Sequence, residues 1–124
     1  MSKSAIITEI KSLPAFAQLL QSNPGLIIIK FGATWCAPCK RIEKQVYKWF
    51  EKLPKNVQCV IVDVDVSIDV YSFLKKKKMI NGIPAILCYT RGNLNYVPDD
   101  MVIGADPQAI EQFFNKWFYY AIQT

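Results

Sequence analysis

The sequence predicts an α/β domain with a central mixed sheet of about five strands, flanked by about four helices. Three observations lead there. Two β-branched runs, "LIIIKF" at 26–31 and "VQCVIVDV" at 57–64, are apolar nearly throughout, as strands buried on both faces are. Segments with apolar residues at three- and four-residue steps alternate with them, which implies parallel crossovers. Arg91-Gly92-Asn93 marks a late hairpin turn, which adds an antiparallel pair at one edge.

Taken in order, "SAIITEI" at 4–10 can form a first strand, a helical start being the alternative. Ser12 can cap a helix from Leu13 with Pro14 in its first turn, and Phe16, Leu19 and Leu20 share one face. "SNPG" at 22–25 stops it before the strand at 26–31. From about Cys36 to Leu53 the pattern is helical, with Ile42, Val46, Trp49, Phe50 and Leu53 on one side. The strand at 57–64 follows, then a shorter helix over 67–78 that shows Ile68, Tyr71 and Leu74 to the core. A strand over 84–90 begins with proline, a permitted place. The returning strand covers about 95–103, with Pro98-Asp99-Asp100 as an irregularity. Asp106 caps a last helix with Pro107 at its first position, and Ile110, Phe113, Phe114, Trp117, Phe118 and Ala121 form its stripe. No repeat, linker or low-complexity tract interrupts residues 1–124, so one domain is expected.

Composition excludes several classes. At 52% hydrophobic and 20% charged the chain fills a core and is not disordered. The longest apolar run, Leu26–Ile29, is far too short to span a bilayer. The first ten residues lack the pattern of a secretory signal, and the cysteine content is low for a small secreted domain, so a reducing, cytoplasmic location is expected. The net charge of +5 is spread out except for Lys75–Lys78, which reads as a solvated helix end; no nucleic-acid-binding signature accompanies it. Histidine is absent, which removes Cys–His pairs, His-containing metal sites and imidazole catalysis.

Chemistry therefore centres on "ATWCAPCKR", 33–41. Cys36 lies where a buried strand hands over to a helix start. The free N–H groups and helix dipole there favour a thiolate, and Cys39 falls on the same side of the first turn, placed to attack a mixed disulfide at Cys36. Two other uses are weaker. A Zn site would have to recruit Cys59 and Cys88, each alone in an apolar strand, or carboxylates. A purely structural Cys36–Cys39 bridge closes too small a loop to stabilise much.

"KFGATWCAPCKRI" resembles the active-site segment of thioredoxins, and the element order resembles theirs across nearly the whole chain. Two further segments match in order: "NGIPAIL", 81–87, where Pro84 stands at the family's cis-proline, and "VIGA", 102–105, where Gly104 matches a glycine of the third surface loop. The resemblance implies a thioredoxin fold and thiol–disulfide exchange with Cys36 as nucleophile and Cys39 as resolving thiol. It also implies a substrate-binding patch of Trp35, Ala37, Pro38, Gly82, Ile83, Pro84, Ile103, Gly104 and Ala105, on which extended segments dock by backbone pairing. Pro38 before the second cysteine is the residue of reducing members, so a protein-disulfide reductase is expected rather than an oxidase or isomerase. No bound cofactor is implied; electrons would come from a separate thioredoxin-reductase-like donor. Disulfide-containing proteins are the expected partners, with no nucleic acid, metal or membrane, and the protein is expected to be a monomer or weak dimer. Tyr119 and Tyr120, off the core stripe of the last helix, are the candidate sticky face.

The sequence departs from the family at one position beneath the site. Six residues before the first cysteine, many thioredoxins bury an aspartate that helps deprotonate the resolving thiol; here the residue is Lys30. A buried ammonium needs a partner, for which Asp63 and Asp65 are candidates, or it stays near the cysteines and favours their thiolates, or it snorkels to the surface. Lys30 is therefore a candidate catalytic residue, and its presence keeps open an alternative function: a thioredoxin-like binding module with weak or altered redox activity. Smaller departures are Gly32 in place of a large aromatic, Lys44 in place of a kinking proline, which implies a straighter helix, and lengthened segments at 74–78 and 92–104.

Overall fold

The computed structural model describes residues 4–124. Four strands form one sheet in the order β2-β1-β3-β4: β1 is Leu26–Gly32, β2 Val57–Asp63, β3 Ala85–Thr90 and β4 Asp100–Ile103. β1 pairs parallel with β2 and antiparallel with β3, and β4 pairs antiparallel with β3. Helices α1 (Leu13–Gln21) and α4 (Ile68–Lys76) cover one face; α2 (Ala37–Arg41), α3 (Glu43–Lys52) and α5 (Pro107–Gln123) belong to the other.

The core follows strand alternation. Every residue of β1 is buried. Leu26 and Ile28 pack with α3 and α5, while Ile27, Ile29 and Phe31 pack with α1 and α4. The α5 stripe supplies the aromatic centre of the first layer, with Phe114 stacked on Trp49 at 5.6 Å and 8°. Glu111 ties the same two helices, accepting from Trp49 Nε1 at 2.9 Å and Gln45 Nε2 at 3.0 Å; these hydrogen bonds hold its carboxyl below the usual range. Capping works as the sequence indicates: Ser12 Oγ accepts from Ala15 N, and Asp106 Oδ1 accepts from Gln108 N.

Four expectations are corrected. The first strand is reduced to an isolated bridge, Ile7 to Val60, so the sheet has four strands rather than five. Ile7 donates to Cys59 O and accepts from Ile61 N, but Ile10 N then turns to Ser67 Oγ and leaves the ladder. The helix expected over 36–53 is two segments, so the flanking helices number five and the straighter run does not occur. Ile42, at φ −100° and ψ 0°, joins the turn anchored by Cys36 and Cys39 to the segment that packs Val46, Trp49 and Phe50, and keeps its own side chain in the core. Ile68 does not face the core but is 57% exposed; Val70 and Leu74 are the buried residues of α4. The returning strand begins only at Asp100, because Asn93, Asn95 and Asp99 side chains bind the amides of Asn95, Val97 and Thr90 in place of ladder bonds.

Asn23 is one of the few buried polar residues. Its Nδ2 donates to Tyr89 O at 2.9 Å and its Oδ1 accepts from Gly25 N at 3.0 Å, which fixes the turn into β1 against the end of β3. Asn23→Ala orphans both backbone groups and is expected to cost roughly 1–3 kcal/mol, read as a lowered urea midpoint. An unchanged midpoint would mean that the two groups find other partners.

Candidate functional site

The register brings the three motif segments to one end of the sheet. β1 ends at Gly32, opposite Asp63 of β2; its neighbour Phe31 lies opposite Ala85, and Ala85 opposite Ile103 of β4. The chain leaving β1 therefore emerges beside Pro84 and the turn at Gly104. The Ile83–Pro84 peptide bond is cis, as the resemblance implies. Gly104 N donates to Pro84 O at 2.8 Å, with Gly104 at φ +100°, a conformation that favours glycine.

Cys36 and Cys39 form a disulfide with their Cα atoms 5.3 Å apart. Cys36 is the N-cap of α2, and its Sγ accepts from Cys39 N at 3.2 Å. Both sulfurs are largely covered, at 5% and 3% residue exposure, and the Cys39 side chain faces Gly32 of β1. Around them Trp35 is 68% exposed, Ala37 and Ile103 are exposed, and Pro38, Gly82, Ile83, Gly104 and Ala105 are half-buried; Pro84 is buried. Trp35 is held by a hydrogen bond from its Nε1 to Asp65 Oδ2 at 2.8 Å. Val66 and Ile68, just beyond Asp65, add exposed apolar surface that the sequence reading did not assign to this end.

Lys30 has its stem buried, while its unpaired amine reaches solvent through a cleft. It is 5% exposed and follows Leu26 and Ile28 on the α2–α3 face of β1. It pairs with neither Asp63 nor Asp65: Asp65 accepts from Trp35, and Asp63 Oδ1 accepts from Asp65 N. Its head lies in a cavity of about 320 Å³ lined by Lys30, Gly32, Cys39, Lys40, Glu43 and Asp63, among others. Burial pushes the Lys30 amine below its ordinary value, and the Glu43 carboxylate opposes this. Glu43 was missed in the sequence, although its place four residues after Cys39 puts it on the same side of the helical turn. Gly32 keeps the cavity open: a Cβ there would stand 3.5 Å from Cys39 Sγ and 3.8 Å from Lys30 Cε.

The other candidates separate from this site. Cys59 and Cys88 are buried in the two strands flanking β1, and burial, helped by Asp99 and Asp100, pushes the Cys88 thiol far up. Lys75–Lys78 are all exposed at the end of α4, with Lys75 over the Tyr71 ring and Lys77 over Phe73 and Tyr96. Tyr119 and Ile122 are exposed on α5, whereas Tyr120 packs on Trp117. No helix among the described residues is long and apolar enough to cross a membrane.

Comparison with known proteins agrees with this geometry. The thioredoxin family model matches residues 7–116. The chain is 31% identical to thioredoxin-2 of Saccharomyces cerevisiae over 107 residues, covering 86% of this chain and 94% of that protein. It is 32% identical to a thioredoxin of Coprinus comatus over 111 residues, covering 90% and 97%. Among solved structures, oxidised mitochondrial thioredoxin 3 of S. cerevisiae superposes with a TM-score of 0.69 at 28% identity, covering 89% of this chain and 94% of that one. The disulfide at a helix start beside a cis-proline fits these likenesses, and by the family model and the relatives above 30% identity the chain belongs to the thioredoxin family, as a thiol–disulfide oxidoreductase.

Proposed function

We propose that this protein reduces disulfides of other proteins. The Cys36–Cys39 pair, at the exposed end of the sheet with Trp35 standing beside it, is the observation that carries the reading. In the reduced state the Cys36 thiolate attacks one sulfur of a substrate disulfide, forming a mixed disulfide and expelling the first substrate thiolate. The Cys39 thiolate then attacks Cys36 Sγ, which expels the second and closes the Cys36–Cys39 bond. Two electrons pass to the substrate and two protons from solvent complete its thiols. A separate reductase returns the electrons, and no cofactor is held by this chain.

Trp35, Ala37, Pro38, Gly82, Ile83, Pro84, Ile103 and Gly104 form the docking patch, where the substrate chain pairs with the backbone at Ile83. Residues 1–124 act as a single domain. A reducing compartment suits a working dithiol and two buried cysteines outside the disulfide; one S. cerevisiae relative is named as mitochondrial, so organellar and cytoplasmic locations both suit the family.

Insulin-disulfide reduction with dithiothreitol tests the reading. Wild type should turn over well above the dithiothreitol background, and Cys36→Ser should fall to that background. Wild-type protein that is folded, reduced and no faster than dithiothreitol alone would favour the second reading, a binding module, for which the buried Lys30 is the specific observation.

A further inference from the structure

We infer that Lys30 is a positioning residue that holds a cation beneath Cys39, stabilises the Cys39 thiolate and so makes the Cys36–Cys39 couple a weaker reductant than a neutral residue there would. The inference rests on the reductase reading and deepens it: Pro38 sets the couple toward reduction, and Lys30 draws it back.

The geometry comes first. Lys30 and Gly32 are alternate residues on the same face of β1, the face over which α2 passes. A Gly32 side chain would be within ordinary contact of both Lys30 Cε and Cys39 Sγ. Lys30, Gly32 and Cys39 line one cavity.

The groups that face the Lys30 head from each packed element are few. From α2 come Cys39 and Lys40, from α3 Glu43, and from β2 Asp63. Glu43 supports the ammonium. Asp63 Oδ1 accepts from the Asp65 amide. Among the described residues Lys30 makes no hydrogen bond or ion pair, so in the oxidised state the cation has no anion in contact. Reduction supplies one.

The charge balance follows. With a cation in place the disulfide takes two electrons to give the Cys36 thiolate at the start of α2 and the Cys39 thiolate, whose new charge the ammonium matches, and Cys39 takes up no proton. With a neutral residue Cys39 takes up a proton to avoid an isolated buried anion. A thiolate exists only in the reduced state. A cation that stabilises it therefore lowers the free energy of the dithiol form alone, which moves the couple toward less reducing potential. The same cation keeps Cys39 ready to resolve the mixed disulfide. An opposite charge within about 4–6 Å shifts a titrating group by about one unit or more, a factor of about ten in the equilibrium.

The test compares wild type with Lys30→Met and Lys30→Arg. Methionine fills the site without charge and removes a desolvated ammonium, so it is expected to fold at least as well. Two quantities are read: the equilibrium constant of the couple against glutathione at pH 7, and the titration of Cys39 by rate of alkylation, resolved by peptide mass. Lys30→Met should shift the constant about tenfold toward the disulfide, or about 30 mV, and raise the Cys39 titration by about one pH unit. Lys30→Arg should restore most of both. Wild type and Lys30→Met with the same constant and the same Cys39 titration would overturn the inference. So would a Lys30→Arg variant that behaves as Lys30→Met, since the charge would then not be what acts. Insulin reduction is measured alongside. Turnover without a shift in the constant removes only this inference; a shift without wild-type turnover removes only the reductase reading.

Discussion

Cys39→Ser protein, mixed with an oxidised protein disulfide, will accumulate as a covalent adduct through Cys36. The substitution leaves the nucleophile's surroundings intact, because the group donating to Cys36 Sγ is the backbone N–H of residue 39 and not its side chain. Cys36 remains the N-cap of α2, at the positive end of its dipole. What disappears is the second attack: a serine hydroxyl holds its proton at neutral pH and cannot displace the substrate from Cys36. The adduct should outlive the wild-type intermediate by on the order of a hundredfold or more. Intact mass under non-reducing conditions measures it, and dithiothreitol should release it. The reciprocal Cys36→Ser variant should trap little, since it is Cys39 and not Cys36 whose side chain faces Gly32 and lines the cavity with Lys30. Equal trapping by both variants would reverse or merge the two roles.

Phe114→Ala is expected to be the most destabilising single truncation in the α5 layer. Phe114 is fully buried, stacks on Trp49, and meets Phe50 edge-on at 6.0 Å and Phe113 at 5.5 Å. Alanine leaves a void walled by three rigid rings that cannot collapse without moving α3 or α5. A loss of about 3–5 kcal/mol follows, a large share of the roughly 5–15 kcal/mol of an ordinary domain. Urea unfolding should show the midpoint falling with an unchanged slope. A loss below about 1 kcal/mol would show that the rings close over the gap.

The sequence made some of this legible and left the rest to tertiary packing. "LIIIKF" reads as a central strand because a run apolar on both faces has few other uses, and the α5 stripe declares its own buried face. The three surface segments carry enough turn and proline chemistry to be recognised together. The first strand was not legible in that way. Whether residues 4–10 pair once or five times depends on what Ser67 offers Ile10 from 57 residues away. The break at Ile42 has no proline or glycine to announce it. At 93–99 the side chains of Asn93, Asn95 and Asp99 outcompete the ladder for backbone amides, a contest that hydrophobic alternation does not register. Lys30 was flagged by its place before the cysteines, but three fates were open to it. Its burial, the gap at Gly32 and Glu43 across the cavity exist only in three dimensions.

The bridge at Ile7 has a consequence for how copies of this chain meet one another. β2 is a border strand of the sheet, and a border strand offers its free amides and carbonyls to any passing strand. Ile7 occupies the Cys59 carbonyl and the Ile61 amide, the middle of that border, and Gln58 Nε2 holds Ala5 O beside it. The opposite border, β4, is four residues long. A neighbouring molecule therefore finds no uninterrupted template on either side, and an N-terminal segment too short to count as a strand guards the molecule against polymerisation.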